Sequence, residues 1–348
     1  MKKILALLTI AAAMTACTND DRYTWDDDFA DRTATDTVTI GISWNGSSVT
    51  VTGDDSGFVT AYGADVTVSS NTNRFLNLQL SGSSADGSLI VYSWLKYGIT
   101  LNGLLLTNTD GPAINNQCSK WLIVTLADGT VNTLSDGASY QEQAFDQKGT
   151  LFSEGQIRFQ GTGSLTVNGN AKNGIASDDY IEITDGTLNI NMTADGGRGI
   201  KVNDGITIMG GTTTITTSGD CRIDTADGVR DTTSAAGIKS DSLFTMTGGT
   251  LSITSTGDGG KGINCSGNVE FKGGTLTVTT TGSNDEGKPK GVKSDTAIIV
   301  SGGSFTVNVS KSWACDNGTD SEEPADHVTI VGSPQNQSLK KKSVVIQF

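Results

Sequence analysis

The sequence predicts an all-β solenoid, a parallel β-helix whose three-strand coils are each about 25 residues long. The first observation behind it is an internal repeat. Segments starting at Gly174, Gly199, Gly237, Gly262 and Gly291 read GIASDDYIEITDGTLNI, GIKVNDGITIMGGTTTI, GIKSDSLFTMTGGTLSI, GINCSGNVEFKGGTLTV and GVKSDTAIIVSGGSFTV, and align without a gap. Their spacings are 25, 38, 25 and 29 residues, the longest being an ordinary copy with an insertion around Asp220 to Ser234. A sixth copy starts at Thr150 with one extra residue. The second observation is alternation: each copy holds three short stretches, 238–240, 244–246 and 251–253 in the third, where apolar and polar residues take turns. The third is that stacked copies place like on like. Ile175, Ile200, Ile238, Ile263 and Val292 form one column. Ile181, Ile206, Phe244, Val269 and Ile298 form a second, and Ile190, Ile215, Ile253, Val278 and Val307 a third. One coil has nothing to bury its apolar side against; coils stacked roughly 4.8 Å apart share a continuous core. A β-sandwich would need antiparallel hairpins and would give no in-register columns at a fixed period.

The elements follow in order. Lys2 and Lys3 precede an apolar run from Ile4 to Ala16, too short to span a bilayer and matching the core of a secretory signal. It ends Met14-Thr15-Ala16-Cys17, which resembles a bacterial lipobox. Residues 1–16 are therefore read as a lipoprotein signal peptide and Cys17 as the lipidated first residue. Residues 17–37 are rich in Asp and read as an extended acidic tether. Acidic residues directly after such a Cys resemble the surface-export signals of Bacteroidetes-type lipoproteins, so an outer-membrane lipoprotein exposed at the cell surface is expected. Residues 38–320 are assigned to the β-helix. The upstream part, to about 145, also reads as strands, such as VTIGISW, ADVTVSS, SLIVYSW and WLIVTL, at less regular spacing. Residues 321–348, with HVTIVG and SVVIQF around Lys340 to Lys342, are expected to cap the open end.

Composition narrows the function. There are 44 Gly against 4 Pro in 348 residues, which excludes collagen and Pro-rich linkers. The net charge of −14 argues against a nucleic-acid partner, because phosphate contact needs a positive surface. A lone histidine, His327, excludes centres that need several imidazoles. Cys118, Cys221, Cys265 and Cys315 are far apart with no CxxC, which disfavours a metal site and leaves disulfides and free thiols both open.

GPAINNQ at 111–117, DGTVNTLSDGASY at 128–140, GTGSLTV at 161–167, NGIASDDYIEITDGTLNI at 173–190 and the GIKSD…GGTL copies together resemble the β-helical carbohydrate-binding domain family of bacterial surface proteins. The resemblance covers roughly residues 60–310. It implies a right-handed parallel β-helix similar to pectate lyases, bound calcium, and binding of acidic plant-type polysaccharide such as polygalacturonate.

The outward columns supply candidate residues. Two positions after each leading glycine stand Ala176, Lys201, Lys239, Asn264 and Lys293; four positions after stand Asp178, Asn203, Asp241, Ser266 and Asp295. A separation of two puts both on one strand face. Carboxylates fall on every second coil, which limits their repulsion. Asp195 and Asp258 form a further acidic series at the turns, and Asp285 occupies a similar, longer turn. Calcium takes six to eight oxygens, so Asp178, Asp195, Asp241, Asp258, Asp285 and Asp295 are candidate metal ligands, with solvated turns as the alternative. Lys201, Lys239 and Lys293 are candidate carbohydrate contacts, with simple neutralisation of nearby Asp as the alternative. The third stretch presents two uncharged rows, one from Asn189 to Thr306 and one from Asn191 to Asn308, suited to β-structure or to a neutral glycan. Tyr92, Trp94, Tyr97, Trp121 and Trp313 are candidates for stacking on sugar rings.

Binding is preferred to catalysis, because no coil departs from the others as an active site does. The alternative is a calcium-dependent polysaccharide lyase with Lys201, Lys239 or Lys293 as base. A third reading is an adhesin or surface scaffold. The chain is read as a monomer.

Overall fold

The computed structural model describes residues 37–226, 229–283 and 287–348. Residues 1–36, on which the expected signal peptide, Cys17 and nearly all of the expected tether fall, and Asp285 lie outside the described residues. Strands dominate, and they pair into three parallel ladders that run the length of the repeat region. The first ladder includes Leu151–Ser153, Asn173–Ser177, Arg198–Val202, Ala236–Ser240, Lys261–Cys265, Lys290–Ser294 and Trp313–Asp316. The second includes Ile157–Gly161, Tyr180–Ile183, Gly205–Ile208, Leu243–Met246, Val269–Phe271 and Ile298–Val300. The third includes Val131–Asp136, Ser164–Gly169, Thr187–Met192, Thr212–Thr217, Thr250–Ser255, Thr275–Thr280 and Ser304–Val309.

The three apolar columns are in register. Ile175, Ile200, Ile238, Ile263 and Val292 pair in succession and are fully buried. Ile206 with Phe244, and Ile215 with Ile253, show the same for the other two ladders. Each such side chain stabilises by about 1.5–3 kcal/mol relative to exposure, so the core is a sum of repeated small terms. The leading glycine is required by close approach. A Cβ on Gly199 would lie 2.4 Å from Ile215 Cγ2 and 2.7 Å from Gly237 O, and one on Gly237 would lie 2.3 Å from Ile253 Cγ2. The glycine thus faces the interior at the corner where the third ladder comes closest to the first.

Upstream, the irregular spacing has a structural reason. Tyr97–Asn108 is one long strand that pairs with Leu122–Leu126 through its first half and with Val131–Asp136 through its second. It therefore does the work of two strands of a later repeat. Phe75–Ser84 and Thr37–Asn45 continue the stack in the same way, with a register shift between Leu80 and Gly82.

Antiparallel strands pair at both ends of the sheet that holds the third ladder. Ser48–Thr52 folds back on Thr37–Asn45. At the other end Asn336–Lys340 and Ser343–Gln347 form a hairpin whose second strand pairs with Ser304–Val309. His327 is buried there, donates from Nε2 to Ser321 O at 3.0 Å, and packs on Trp313 with ring centroids 4.3 Å apart. The insertion after the second copy is an antiparallel hairpin, Arg222–Ala226 with Val229–Thr233. Cys118, Cys221, Cys265 and Cys315 are all buried, and Cys265 and Cys315 are free thiols.

Candidate functional site

The outward face of the first ladder is built by a local change of phase. Gly199 and Ile200 are consecutive and both face inward. The residues on either side, Arg198 and Lys201, therefore both reach the surface and line the same groove. The same geometry gives two adjacent columns. One is Arg198, Ala236, Lys261, Lys290 and Trp313; the other is Ala176, Lys201, Lys239, Asn264, Lys293 and Asp316. The first of these columns escapes a reading based on simple alternation, although its residues stand directly before the leading glycines.

The groove between these columns has a volume of ≈ 300 Å³. Five cations line it, Lys148, Lys172, Arg198, Lys201 and Arg222, against one carboxylate, Asp178. Arg222 comes from the base of the inserted hairpin. The Nε of Arg198 is buried and has no hydrogen-bond partner among the described residues. Burial, and after it the charge of Arg222, hold the Arg198 guanidinium below its ordinary pKa.

The predicted lysines are each matched to acid. Lys201 bonds to Asp241 and, at 2.7 Å, to Asn203 Oδ1. Lys239 lies 2.8 Å from Asp241 and donates to Ser266 Oγ at 2.8 Å. Lys293 bonds to Asp295. Burial works against the charge on Asp241, but Lys201 and Lys239 outweigh it and hold the carboxyl below its usual range. Lys261 differs: it donates to Ser234 Oγ, and burial, followed by the charges of Lys293 and Lys290, lowers its pKa to about 8.

The predicted metal ligands fall into three groups. Asp178 joins Asp146 and Glu154, with one carboxylate oxygen from each lying within 4.8 Å of the others. Burial, and then repulsion from Asp178, raise the Glu154 pKa to about 7. Lys148 lies 2.6 Å from Asp146 and also bonds to Asp178. Asp146 and Glu154 were not legible as ligands: one sits in the irregular segment before the repeats, the other in the copy with the extra residue. Asp195 and Asp258 belong to a turn ladder instead. Asp195 Oδ1 accepts from the Asp220 amide at 2.9 Å, Asp220 from the Asp258 amide at 2.7 Å, and Asp258 from the Ser283 amide at 2.8 Å. One oxygen of each thereby ties a turn to the next. Asp241 and Asp295 form the third group, bound to lysines as described.

The third ladder presents Asn189, Thr214, Ser252, Thr277 and Thr306 in register, beside Asn191, Thr216, Thr254, Thr279 and Asn308. Of the aromatic candidates, Tyr97 is core, with its hydroxyl donating to Asn116 Oδ1 at 2.9 Å. Trp313 is covered by Lys341, whose Nζ lies 4.3 Å from its ring centroid. Trp94 is 53% exposed and remains open to solvent.

A family model described as "Carbohydrate-binding domain-containing protein" matches residues 62–324. A relative from Acetivibrio thermocellus with the same description is 32% identical over 115 residues, covering 32% of this chain and 40% of that protein. The chain thus matches well under two thirds of that relative's length. A solved structure described as the polysaccharide lyase-like protein from C. thermocellum, a gadolinium derivative, aligns with a TM-score of 0.50 at 22% identity. That alignment covers 69% of this chain and 94% of the other, and at this identity it speaks to fold.

Proposed function

The chain belongs to the family of carbohydrate-binding domain-containing proteins, and on that premise we propose that it binds an acidic, polygalacturonate-like polysaccharide along the first-ladder face. The observation that carries this reading is the groove lined by five cations and one carboxylate in a chain of net charge −14. Such a chain repels a polyanion at long range. Lys148, Lys201 and Arg222 are bound to carboxylates, but Lys172 and Arg198 have no carboxylate partner among the described residues, and the Arg198 Nε supplies a donor that a uronate carboxylate satisfies.

Calcium belongs to the same proposal. Three carboxylates offer up to six oxygens, the lower end of what calcium takes, so Asp146, Glu154 and Asp178 are assigned to hold it, with Lys148 swinging aside. The ion would supply positive charge beside the groove and bridge to sugar carboxylates. The coils are proposed to wind as a closed right-handed β-helix, and the protein to act as a monomer anchored through Cys17 to the outer membrane, facing outward.

Affinity electrophoresis through polygalacturonate, with dextran as the neutral control, tests the reading. Retardation by polygalacturonate alone is expected, weakened by chelator and by added salt. Equal mobility in both gels, with calcium present, would overturn it. The lyase alternative lacks a comparable support. Lys201, Lys239 and Lys293 are bound to carboxylates, an arrangement suited to neutralisation more than to proton abstraction. Incubation with polygalacturonate and calcium is therefore expected to give no rise in ultraviolet absorbance from unsaturated product.

A further inference from the structure

We propose that Lys261 centres a second anion subsite, two repeats beyond Arg198 on the same face, so that the protein selects a polymer charged at regular intervals over a single acidic sugar. The inference rests on the acidic-polysaccharide reading and adds to it a second contact and a dependence on length.

Register places the two subsites. Arg198 pairs with Ala236, and Ala236 with Lys261, in one column of the first ladder. Two ladder steps separate the cations by roughly 10 Å. Ala236 between them is buried and projects nothing into the path. The inserted hairpin flanks both positions: Arg222 at its start lines the Arg198 groove, and Ser234 just past its end accepts from Lys261.

Among the described residues, the charges on this stretch leave one cation without an anion. Asp241 is shared by Lys201 and Lys239, Asp295 serves Lys293, and Asp316 serves Lys290. Five lysines on this stretch therefore face three carboxylates. Among the described residues none of these carboxylates pairs with Lys261, whose one hydrogen-bond partner is a neutral hydroxyl. A partly buried ammonium without a counter-ion is unfavourable. A ligand carboxylate relieves that penalty, and the crowding by Lys290 and Lys293 that depresses its pKa strengthens the local pull on an anion. An anionic polymer reaching both cations gains from the second contact through effective concentration.

Calorimetry with galacturonic acid and size-fractionated oligogalacturonates tests this. Wild-type affinity is expected to rise about 100-fold once the oligomer spans both subsites. Lys261→Met should abolish that rise, Lys261→Arg should keep most of it, and Thr277→Val on the third ladder should leave it untouched. A second readout uses acylation of Lys261 at pH 8, followed by mass spectrometry: spanning oligomers should protect it and galacturonic acid should not. If folded Lys261→Met shows the wild-type rise with length, or long oligomers leave Lys261 unprotected, the second subsite is wrong while the first stands. If no oligomer or polymer binds the wild type, both readings fall together.

Discussion

The first-ladder and third-ladder faces hang on the same repeat, yet they treat charge in opposite ways. From Ser164 to Asn308 the outward positions of the third ladder are Thr, Ser or Asn throughout. The first ladder carries Arg198, Lys201, Lys239, Lys261, Lys290 and Lys293 within four repeats and a hairpin. A parallel stack places identical positions roughly 4.8 Å apart. Like charges at that spacing repel by about 3 kcal/mol at the effective dielectric of a protein surface. Hydroxyls incur no such penalty, so the third ladder is the inexpensive solution for a solvated sheet. Charge on the first ladder is kept against its cost, tempered by Asp241, Asp295 and Asp316, and that difference is the reason for proposing it as the ligand face.

The comparison breaks most completely when the shared core is attacked. Ile238→Ala is expected to destabilise by about 2–5 kcal/mol, because a fully buried side chain leaves a cavity in a stack with little freedom to collapse. Gly237→Ala should cost about 1–3 kcal/mol, since the new Cβ would meet Ile253 Cγ2 at 2.3 Å and Gly262 O at 2.8 Å. Denaturant titration followed by circular dichroism checks both, and binding should fall only as the folded fraction falls. Arg198→Ala separates the faces. Removing a charged donor costs about 1.5–3 kcal/mol, so polygalacturonate affinity should drop roughly 10- to 100-fold while stability holds. Unchanged affinity in folded Arg198→Ala would remove the groove from the binding site.

These effects also show what could be read from the residues alone. The core columns were legible because inward residues recur at one spacing and nothing interrupts the phase between Ile200 and Val202 or between Phe244 and Met246. The Arg198 and Lys261 column was not, because alternation counted back from Ile200 sends Arg198 inward. Only the steric demand at Gly199 reveals that two consecutive residues face the core. Asp178 was found as a candidate but Asp146 and Glu154 were not, since convergence of a loop with the bends after two strands is a tertiary fact. Asp195 and Asp258 looked like free carboxylates because the amide that each turn offers to the one before it appears only when the turns are stacked. The upstream strands resisted alignment because Tyr97–Asn108 spans two ladders as one element.

Two smaller effects sharpen the contrast. Lys261 titrates at about 8 in the folded chain, below the ordinary lysine value of 10.5. Between those values the unfolded chain binds more protons, so stability should rise as pH climbs from about 8 to 10.5. Lys261→Met should flatten that rise, and polyanion affinity should fall as pH passes about 8, where the folded chain loses the charge. A wild-type stability curve that declines there, with no difference in Lys261→Met, would show that the lysine is not held at a cost. The smallest effect belongs to the other face. Thr214→Val and Thr277→Val replace exposed hydroxyls by another β-branched side chain on a pleated surface, so the strand loses neither its shape nor its propensity. Stability should stay within about 0.5 kcal/mol and polygalacturonate affinity should not move. A loss of affinity in these variants, with Arg198→Ala silent, would reverse the assignment and make the hydroxyl lattice the ligand face.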